Sequence, residues 1–155
     1  MPSLQIETPV GPVTVTEENG LIATVEIGRG AGQDDTPLLR DAAAQFADYF
    51  AGARKDFDLP LAPAATPFAT KMRDAMLAIP YGVTRTYGDI AKEIGAPPQA
   101  VGQGCGQNAV PIIVPCHRVV AAGGRLGGFS GGDGAPTKKW LLAHEAKDDL
   151  FAAYR

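Results

Sequence analysis

The sequence predicts an α+β protein with a small N-terminal domain of strands and one helix, followed by a helical C-terminal domain. Three short runs rich in β-branched residues open the chain, and apolar residues at helical spacing follow them. Residues 59–66, rich in proline and alanine, then interrupt both patterns and indicate a linker. We therefore expect residues 1–63 to form an α/β structural domain with its linker, and residues 64–155 to form a second domain.

The first domain is predicted to be a β-meander covered by a helix. Residues 4–6, 13–16 and 21–27 are the candidate strands, and the Asn-Gly pair before the third is typical of a tight hairpin turn. Over residues 36–53, apolar side chains recur at intervals of three and four, which predicts a helix that ends at Gly52. We expect this helix to pack on the sheet.

The second domain is predicted to be mainly helical. Residues 68–79 have helical spacing, and the Pro-Tyr-Gly that follows them ends the helix. Thr86 and Asp89 have the spacing of a capping box, which predicts a second helix that ends at Gly95. A third short helix over residues 97–107 gives this pair the outline of a helix-turn-helix.

Three further segments complete the predicted C-terminal domain. The apolar run 111–115 is expected to be a strand that meets a turn at Cys116. Residues 123–134 are rich in glycine and are expected to form a long loop. Residues 137–150 have helical spacing and are expected to form a closing helix.

The predicted helix over residues 97–107 is built from small side chains and carries no positive charge. Each internal glycine destabilises a helix by about 1 kcal/mol relative to alanine, so some close contact should compensate. Small side chains let the helix approach either a neighbouring protein element or the narrow minor groove of DNA. Internal packing is the commoner reason, and composition alone leaves both open.

The charges are unevenly distributed along the chain. The net charge of −3 gives no sign of nucleic-acid binding, and residues 1–63 are strongly acidic. Between residues 64 and 132 the basic side chains outnumber the acidic ones, which permits a modest basic face. A solvated surface without a partner explains the same pattern.

Cysteine content and hydropathy exclude several classes of protein. Only two cysteines are present, Cys105 and Cys116, so a disulfide framework and a cysteine-rich zinc site are excluded by counting. We expect no metal and no cofactor. The chain has no apolar run of about 18 residues and no secretory signal at its start. We therefore expect a cytoplasmic protein that does not bind membranes.

Cys116 and His117 are the adjacent pair of residues best suited to nucleophilic catalysis. An imidazole beside a thiol favours the nucleophilic thiolate, and Arg118 would add positive potential. A buried cysteine beside an incidental histidine is the alternative, and an isolated pair favours that alternative.

The stretch Val-Pro-Cys-His-Arg-Val at residues 114–119 resembles the active-site motif of the methylated-DNA-protein-cysteine methyltransferases, the O6-alkylguanine-DNA alkyltransferases. The resemblance covers residues 67–145 and implies a winged helix-turn-helix-like C-terminal domain after a ribonuclease-H-like N-terminal domain. Other blocks that resemble the family, in the family's order, are residues 79–82, 86–91, 100–102, 108, 127–132 and 141–145.

The resemblance implies a single-use DNA repair reaction. Cys116 would take a methyl or other alkyl group from O6-alkylguanine, with O4-alkylthymine as an alternative substrate, and would be consumed. His117 would act as its base through a water, Glu145 would orient His117, and Tyr87 would assist the leaving guanine. Asn108 would be the structural hinge that ties the recognition helix to the active-site turn. On the sequence alone, Glu145 equally fits a surface acid, and Asn108 fits a helix C-cap.

The resemblance also implies that the protein binds double-stranded DNA through the minor groove as a monomer, with the alkylated guanine flipped into a pocket. The family normally has an arginine where this chain has Gln99, so we expect less efficient flipping, because glutamine lacks a guanidinium's charge and stacking plane. The glycine loop would line the pocket, although such loops are often merely flexible. The DNA-binding and base-binding candidates are Gln99, Ala100, Gly102, Ser130, Gly131 and Arg118.

Two other functions remain open at this stage. One is an alkyl-lesion sensor that binds DNA and recruits other repair proteins, which the thiol of Cys116 disfavours because sensors in this family lack it. The other is a winged-helix regulator whose Cys116 senses oxidants. The glycine-rich recognition helix disfavours a regulator that reads base sequence.

Overall fold

The computed structural model describes residues 1–128, 131–132 and 134–146. Its first part is a three-stranded antiparallel sheet covered by one helix, and its second part holds the remaining helices around a short parallel ladder. This arrangement confirms the predicted α+β class. Within the described chain, no helix has both the length and the apolar character needed to cross a bilayer.

The N-terminal sheet is the predicted meander. Strands β1 (Ser3–Thr8), β2 (Gly11–Glu18) and β3 (Leu21–Ile27) lie in the order β1-β2-β3, each antiparallel to its neighbour. Asn19 and Gly20 both have positive φ angles, 55° and 77°, as a two-residue hairpin of type I′ requires. The turn residues thus set the register of β2 against β3.

Helix α1 (Pro37–Phe50) covers one face of this sheet. Thr36 caps it by accepting a hydrogen bond from the amide of Leu39 at 3.1 Å, and proline occupies its first turn, where no amide hydrogen is needed. Gly52, with φ of 80°, follows the helix where the sequence predicts its end. The apolar side chains that α1 buries are Leu39, Ala42, Phe46 and Tyr49.

The second part follows the predicted order of helices. Thr86 and Asp89 form both hydrogen bonds of a capping box, and Gly95 ends the same helix with φ of 70°. The elements are α2 (Pro67–Leu77), β4 (Arg85–Thr86), α3 (Tyr87–Ile94), α4 (Pro98–Gly106), β5 (Val119–Val120) and α5 (Ala135–Glu145), with 3-10 turns at Cys116–Arg118 and Ala122–Gly124. Strands β4 and β5 pair in parallel.

The predicted strand at residues 111–115 is wrong. The amide of Val114 donates to the carbonyl of Val110 at 2.9 Å, and Ile112 has a positive φ of 73°, so the segment folds back on itself. The side chain of Asn108 fixes this turn by donating to the Val114 carbonyl at 2.8 Å and accepting from the Val110 amide at 3.1 Å. The prolines at both ends lack amide hydrogens and cannot extend a ladder.

The free edge of β3 is covered by the rest of the chain. Ile22 exchanges two backbone hydrogen bonds with residues 60–62, so the predicted linker packs against the sheet and is not a free tether. The amide of Val25 donates to the carbonyl of Ala109 at 2.9 Å. An edge strand covered in this way cannot pair with another chain, and the contact places β3 beside residues 108–116.

The glycines of α4 have two different surroundings. A β-carbon added at Gly104 would lie 2.9 Å from Cγ of the buried Met72 on α2, whereas one added at Gly102 would meet nothing within 4 Å. Close internal packing therefore explains Gly104. It does not explain Gly102.

Alanine substitutions in α4 should separate these two cases. We expect Gly102→Ala to raise the free energy of unfolding by about 0.5–1 kcal/mol, because alanine favours the helix and meets open space. Gly104→Ala gains the same helix propensity but displaces Met72, and we expect it to lower the free energy of unfolding by about 1 kcal/mol. Urea unfolding of the two variants measures the difference, and equal changes would refute this assignment of the glycines.

Candidate functional site

Cys116 begins a 3-10 turn and is nearly buried, with 5% of the residue exposed. Its side chain lines a cleft of about 240 Å³ between this turn and strand β3. Asn108, Cys105 and Gly131 line the same cleft. The predicted nucleophile and two other candidate residues, Asn108 and Gly131, therefore meet in one place.

The parallel pairing of β4 with β5 positions the active-site turn against α3. Arg85 pairs with Val119 and Thr86 with Val120, directly after the turn that contains Cys116. Because α3 begins at the next residue, Tyr87, its first turn lies beside the residues that follow Cys116. The ladder thus brings two distant parts of the sequence to one site.

A buried carboxylate on α5, that of Glu145, joins the turn that contains His117 and Arg118 to helix α1. Oε2 of Glu145 lies 2.7 Å from Nε2 of His117 and accepts a hydrogen bond from the Tyr49 hydroxyl at 2.6 Å. Nε of Arg118 donates to Oε1 at 2.7 Å and its Nη2 donates to Oε2 at 3.1 Å. The His117 and Glu145 side chains are 0% and 1% exposed, so the group is shielded from water.

The environment of Glu145 keeps it ionised. Burial alone would raise the pKa of this carboxyl group, but the hydrogen bonds of His117 and Arg118 and the positive charge of Arg118 outweigh burial and hold the pKa well below its usual range. An ionised carboxylate only accepts hydrogen bonds, so Nε2 of His117 is the protonated ring nitrogen. The prediction that Glu145 orients His117 fits this contact.

His117 is a neutral imidazole with an available lone pair. Burial lowers its pKa, the charges of Arg118 and Lys138 lower it further, and the opposing effect of Glu145 does not offset them. With the proton on Nε2, Nδ1 carries the lone pair, and it has no hydrogen-bond partner among the described residues. The ring can therefore accept a proton at Nδ1 while Glu145 stabilises the resulting cation.

Cys116 rests as a thiol and not as a thiolate. Burial raises its pKa, and the hydrogen bond of the Asn108 side chain and the charge of Lys138 offset this only in part. The adjacent imidazole is neutral, and the Arg118 guanidinium is bound to Glu145. Cys116 therefore needs a base before it can attack, and this is the role that the family resemblance implies for His117.

The assignment of Arg118 to DNA binding is corrected. The residue is 5% exposed, and its guanidinium bonds to Glu145 and donates to the carbonyl of Ile79 at 2.7 Å. These bonds use three of the five N–H donors of the guanidinium, and its burial keeps it away from a DNA phosphate. Arg118 is the counter-charge of the buried carboxylate.

Lys138 is a site residue that the sequence reasoning missed. Its buried ammonium donates to the carbonyl of Val119 at 2.6 Å and to that of Gly128 at 3.2 Å, and it lies 3.4 Å from the hydroxyl of Tyr87. Lys138 thus connects α5 to β5, the glycine loop and α3. Its helical spacing with Leu141, which places both on the inner face of α5, is the signal that could have identified it.

Tyr87 is half-buried at the start of α3, and burial raises the pKa of its hydroxyl group. A hydroxyl that keeps its proton can donate a hydrogen bond. A β-carbon added at Gly127 would lie 2.5 Å from the Tyr87 oxygen, so the glycine loop needs a glycine at this close approach.

The structure places the other DNA candidates at different positions. Gln99 is exposed in the first turn of α4, Ala100 is half-buried, and Gly102 faces open space. Ser130 lies outside the described residues. In the part of the chain that is described, no three potential metal ligands cluster together.

Neutralising Glu145 should destabilise the protein in a pH-dependent way. We expect Glu145→Gln to lower the free energy of unfolding by about 3 kcal/mol near neutral pH, because Arg118 then lacks a counter-charge. The folded pKa is depressed, so this contribution is complete above the unfolded carboxyl value of about 4.3 and is lost as the pH falls towards the folded value. Urea unfolding of wild type and Glu145→Gln at neutral and acid pH measures this contribution to stability.

Glu18→Gln is a matched control at an exposed acid and should change stability little. A difference between wild type and Glu145→Gln that stays constant down to acid pH would contradict the buried ionised carboxylate.

Comparison with known families identifies the two parts of the chain. Residues 67–147 match the family model described as the DNA-binding domain of 6-O-methylguanine DNA methyltransferase. Residues 5–63 match the ribonuclease-like domain of the same protein.

Sequence relatives agree with the family models. A methylated-DNA--protein-cysteine methyltransferase of Methanosarcina acetivorans is 40% identical, with 90% of this chain and 94% of that protein aligned. The constitutive methylated-DNA--protein-cysteine methyltransferase of Bacillus subtilis is also 40% identical, over 81% of this chain and 84% of that protein.

Solved structures have the same fold. The structure of Mycobacterium tuberculosis OGT in complex with DNA superposes with a TM-score of 0.84 at 36% identity, covering 100% of both chains. The structure of the O6-methylguanine methyltransferase of that organism gives a TM-score of 0.79 at 37% identity, covering 94% of this chain and 92% of that one. The predicted resemblance is confirmed, and the chain belongs to the 6-O-methylguanine DNA methyltransferase family.

Proposed function

We propose that this protein repairs O6-alkylguanine in double-stranded DNA by transferring the alkyl group irreversibly to the sulfur of Cys116. The observation that carries the proposal is the position of Cys116 at a cleft, directly before His117. Nε2 of His117 is bound to the ionised Glu145, and its Nδ1 bonds to no described residue. The relatives that share its family are named for this transfer, and one neighbour was solved with DNA.

The resting thiol defines what the reaction needs. Cys116 must lose its proton before it attacks, and Nδ1 of His117 accepts that proton through a bridging water. The sulfur then forms a bond to the alkyl carbon while the bond from that carbon to O6 breaks, and the electron pair leaves with the guanine. The Glu145 carboxylate stabilises the resulting imidazolium of His117. The thioether has no route back to a thiol, so each molecule reacts once.

The leaving guanine needs stabilisation of the negative charge that develops on it. Tyr87 keeps its hydroxyl proton and donates a hydrogen bond to the departing base. The ammonium of Lys138 donates hydrogen bonds to the Tyr87 oxygen and to the Gly128 carbonyl. It therefore fixes the Tyr87 hydroxyl relative to the glycine loop. Gly131, which lines the cleft beside Cys116, contributes to the base pocket.

DNA is bound through α4. Gly102 leaves open space on this helix, and the neighbouring Ala100 is also small, so the backbone can approach a minor groove about 6 Å wide. Gln99 is exposed in the first turn, where it can bond the base left unpaired by flipping. Asn108 links the end of α4 to the turn before Cys116. The protein acts as a monomer, since one chain supplies every group in this scheme.

Intact-protein mass spectrometry tests the proposal directly. Wild type is incubated with duplex DNA that contains O6-methylguanine, and Cys116→Ser and Cys105→Ser serve as a matched pair because both thiols line the same cleft. We expect wild type and Cys105→Ser to gain one methyl group each, mapped to Cys116, and Cys116→Ser to gain none while it still binds the duplex.

Three results would contradict the proposal. Binding of the lesion without any gain in mass would favour the lesion sensor. A methyl group mapped to Cys105 would show that Cys105, and not Cys116, is the nucleophile. Sequence-specific binding of undamaged duplex, abolished by oxidation of Cys116, would favour the redox regulator.

A further inference from the structure

We infer that the N-terminal domain supplies a positioning residue for alkyl transfer, the hydroxyl of Tyr49, which fixes Glu145 and limits how strongly that carboxylate holds the proton of His117. The inference rests on the proposed function, because Tyr49 acts through Glu145 and His117 on Cys116. It gives the N-terminal domain a part in the chemistry beyond its structural role.

The hydroxyl of Tyr49 and the ring of His117 share one oxygen atom. Tyr49 lies in the last turn of α1, is fully buried, and donates to Oε2 of Glu145 at 2.6 Å across 96 residues of sequence. Nε2 of His117 reaches the same Oε2 at 2.7 Å. Any change in the charge on this oxygen therefore reaches the imidazole directly.

Tyr49 is held from both ends. Its backbone carbonyl accepts a hydrogen bond from Nε2 of His144 at 2.7 Å. Its ring packs edge-on against those of His144, at 5.2 Å between centroids, and Phe50, at 5.1 Å. Since His144 and Glu145 are neighbours on α5, the tyrosine is fixed to that helix through its backbone and its hydroxyl. The hydroxyl cannot rotate away from the carboxylate without disturbing the interface.

Packing of the Tyr49 ring does not by itself require its hydroxyl group. Phe57 and Tyr81 pack against the same ring, and an unbonded buried hydroxyl would be unfavourable by several kcal/mol. Burial and the Glu145 carboxylate both raise the pKa of Tyr49 far above its usual range, so it stays a neutral donor. It stabilises the carboxylate without adding a charge that would repel the imidazolium.

Because Tyr49 and His117 both bond to Oε2 of Glu145, loss of the Tyr49 hydroxyl should change the pKa of His117. Without the Tyr49 hydrogen bond, more negative charge on Oε2 interacts with His117, which favours the imidazolium and raises the pKa of His117. His117 must be neutral to accept the thiol proton, so the pH at which activity appears should rise. The other titratable or charged groups that face this network are Arg118, Cys116, Lys138, Tyr81 and His144.

The test is the pH dependence of single-turnover methyl transfer from duplex DNA. We expect Tyr49→Phe to shift the midpoint of the acidic limb upward by about 0.5 pH unit, with the rate on the alkaline plateau within about threefold of wild type. Phe50→Leu is the matched control, because it removes ring packing against Tyr49, Trp140 and His144 at the same interface but leaves the hydrogen bond from the Tyr49 hydroxyl to Glu145 in place. It should leave the midpoint unchanged.

A second variant covers the case in which Tyr49→Phe fails to fold. Replacing Tyr49 with 3-fluorotyrosine preserves the hydrogen bond and makes the hydroxyl a stronger donor, so the midpoint should move downward. An unchanged midpoint in whichever of these two proteins folds, with wild type active, would overturn the inference while the proposed function stands. Absence of transfer by wild type at any pH would overturn the proposed function itself, and the inference with it.

Discussion

The ionised side chain of Glu145 is the constraint on which the rest of the structure depends. It accepts four hydrogen bonds, from Tyr49 of α1, from His117, and twice from Arg118. A buried carboxylate is tolerated only when a counter-charge and donors surround it, so two segments, α1 and the Cys116–Arg118 turn, must keep their positions relative to α5. The packing of the N-terminal domain and the protonation of the active-site histidine are therefore parts of one electrostatic arrangement.

Local signals in the sequence were sufficient for much of the fold. The Asn19-Gly20 turn, the capping box of Thr86 and Asp89, and the glycine at the end of α3 each depend on residues a few positions apart. The segment 111–115 was misread because an apolar run with β-branched residues favours a strand by local criteria. What decides its shape is the side chain of Asn108, together with prolines that cannot extend a ladder.

The site was predictable only where neighbours in sequence are also neighbours in space. Cys116 and His117 are adjacent, whereas Glu145 was identified through its family resemblance and not through its own context. The charge of Arg118 indicated DNA, because the sequence does not reveal that its partner lies 27 residues away and is buried. Lys138 and Tyr49 were missed for the same reason. Each is a polar group on a helix face that is otherwise apolar, and its partner is distant in sequence.

The most direct test of this account is the protonation of His117 in the free protein, measured by NMR of the imidazole nitrogens in ¹⁵N-histidine-labelled material. The chain has two histidines, so a His144→Gln sample assigns the signals. The account predicts a neutral ring near pH 7 with its proton on Nε2 and a bare Nδ1. A proton on Nδ1, or an imidazolium at that pH, would contradict the role of Glu145 as the group that prepares His117 to act as a base.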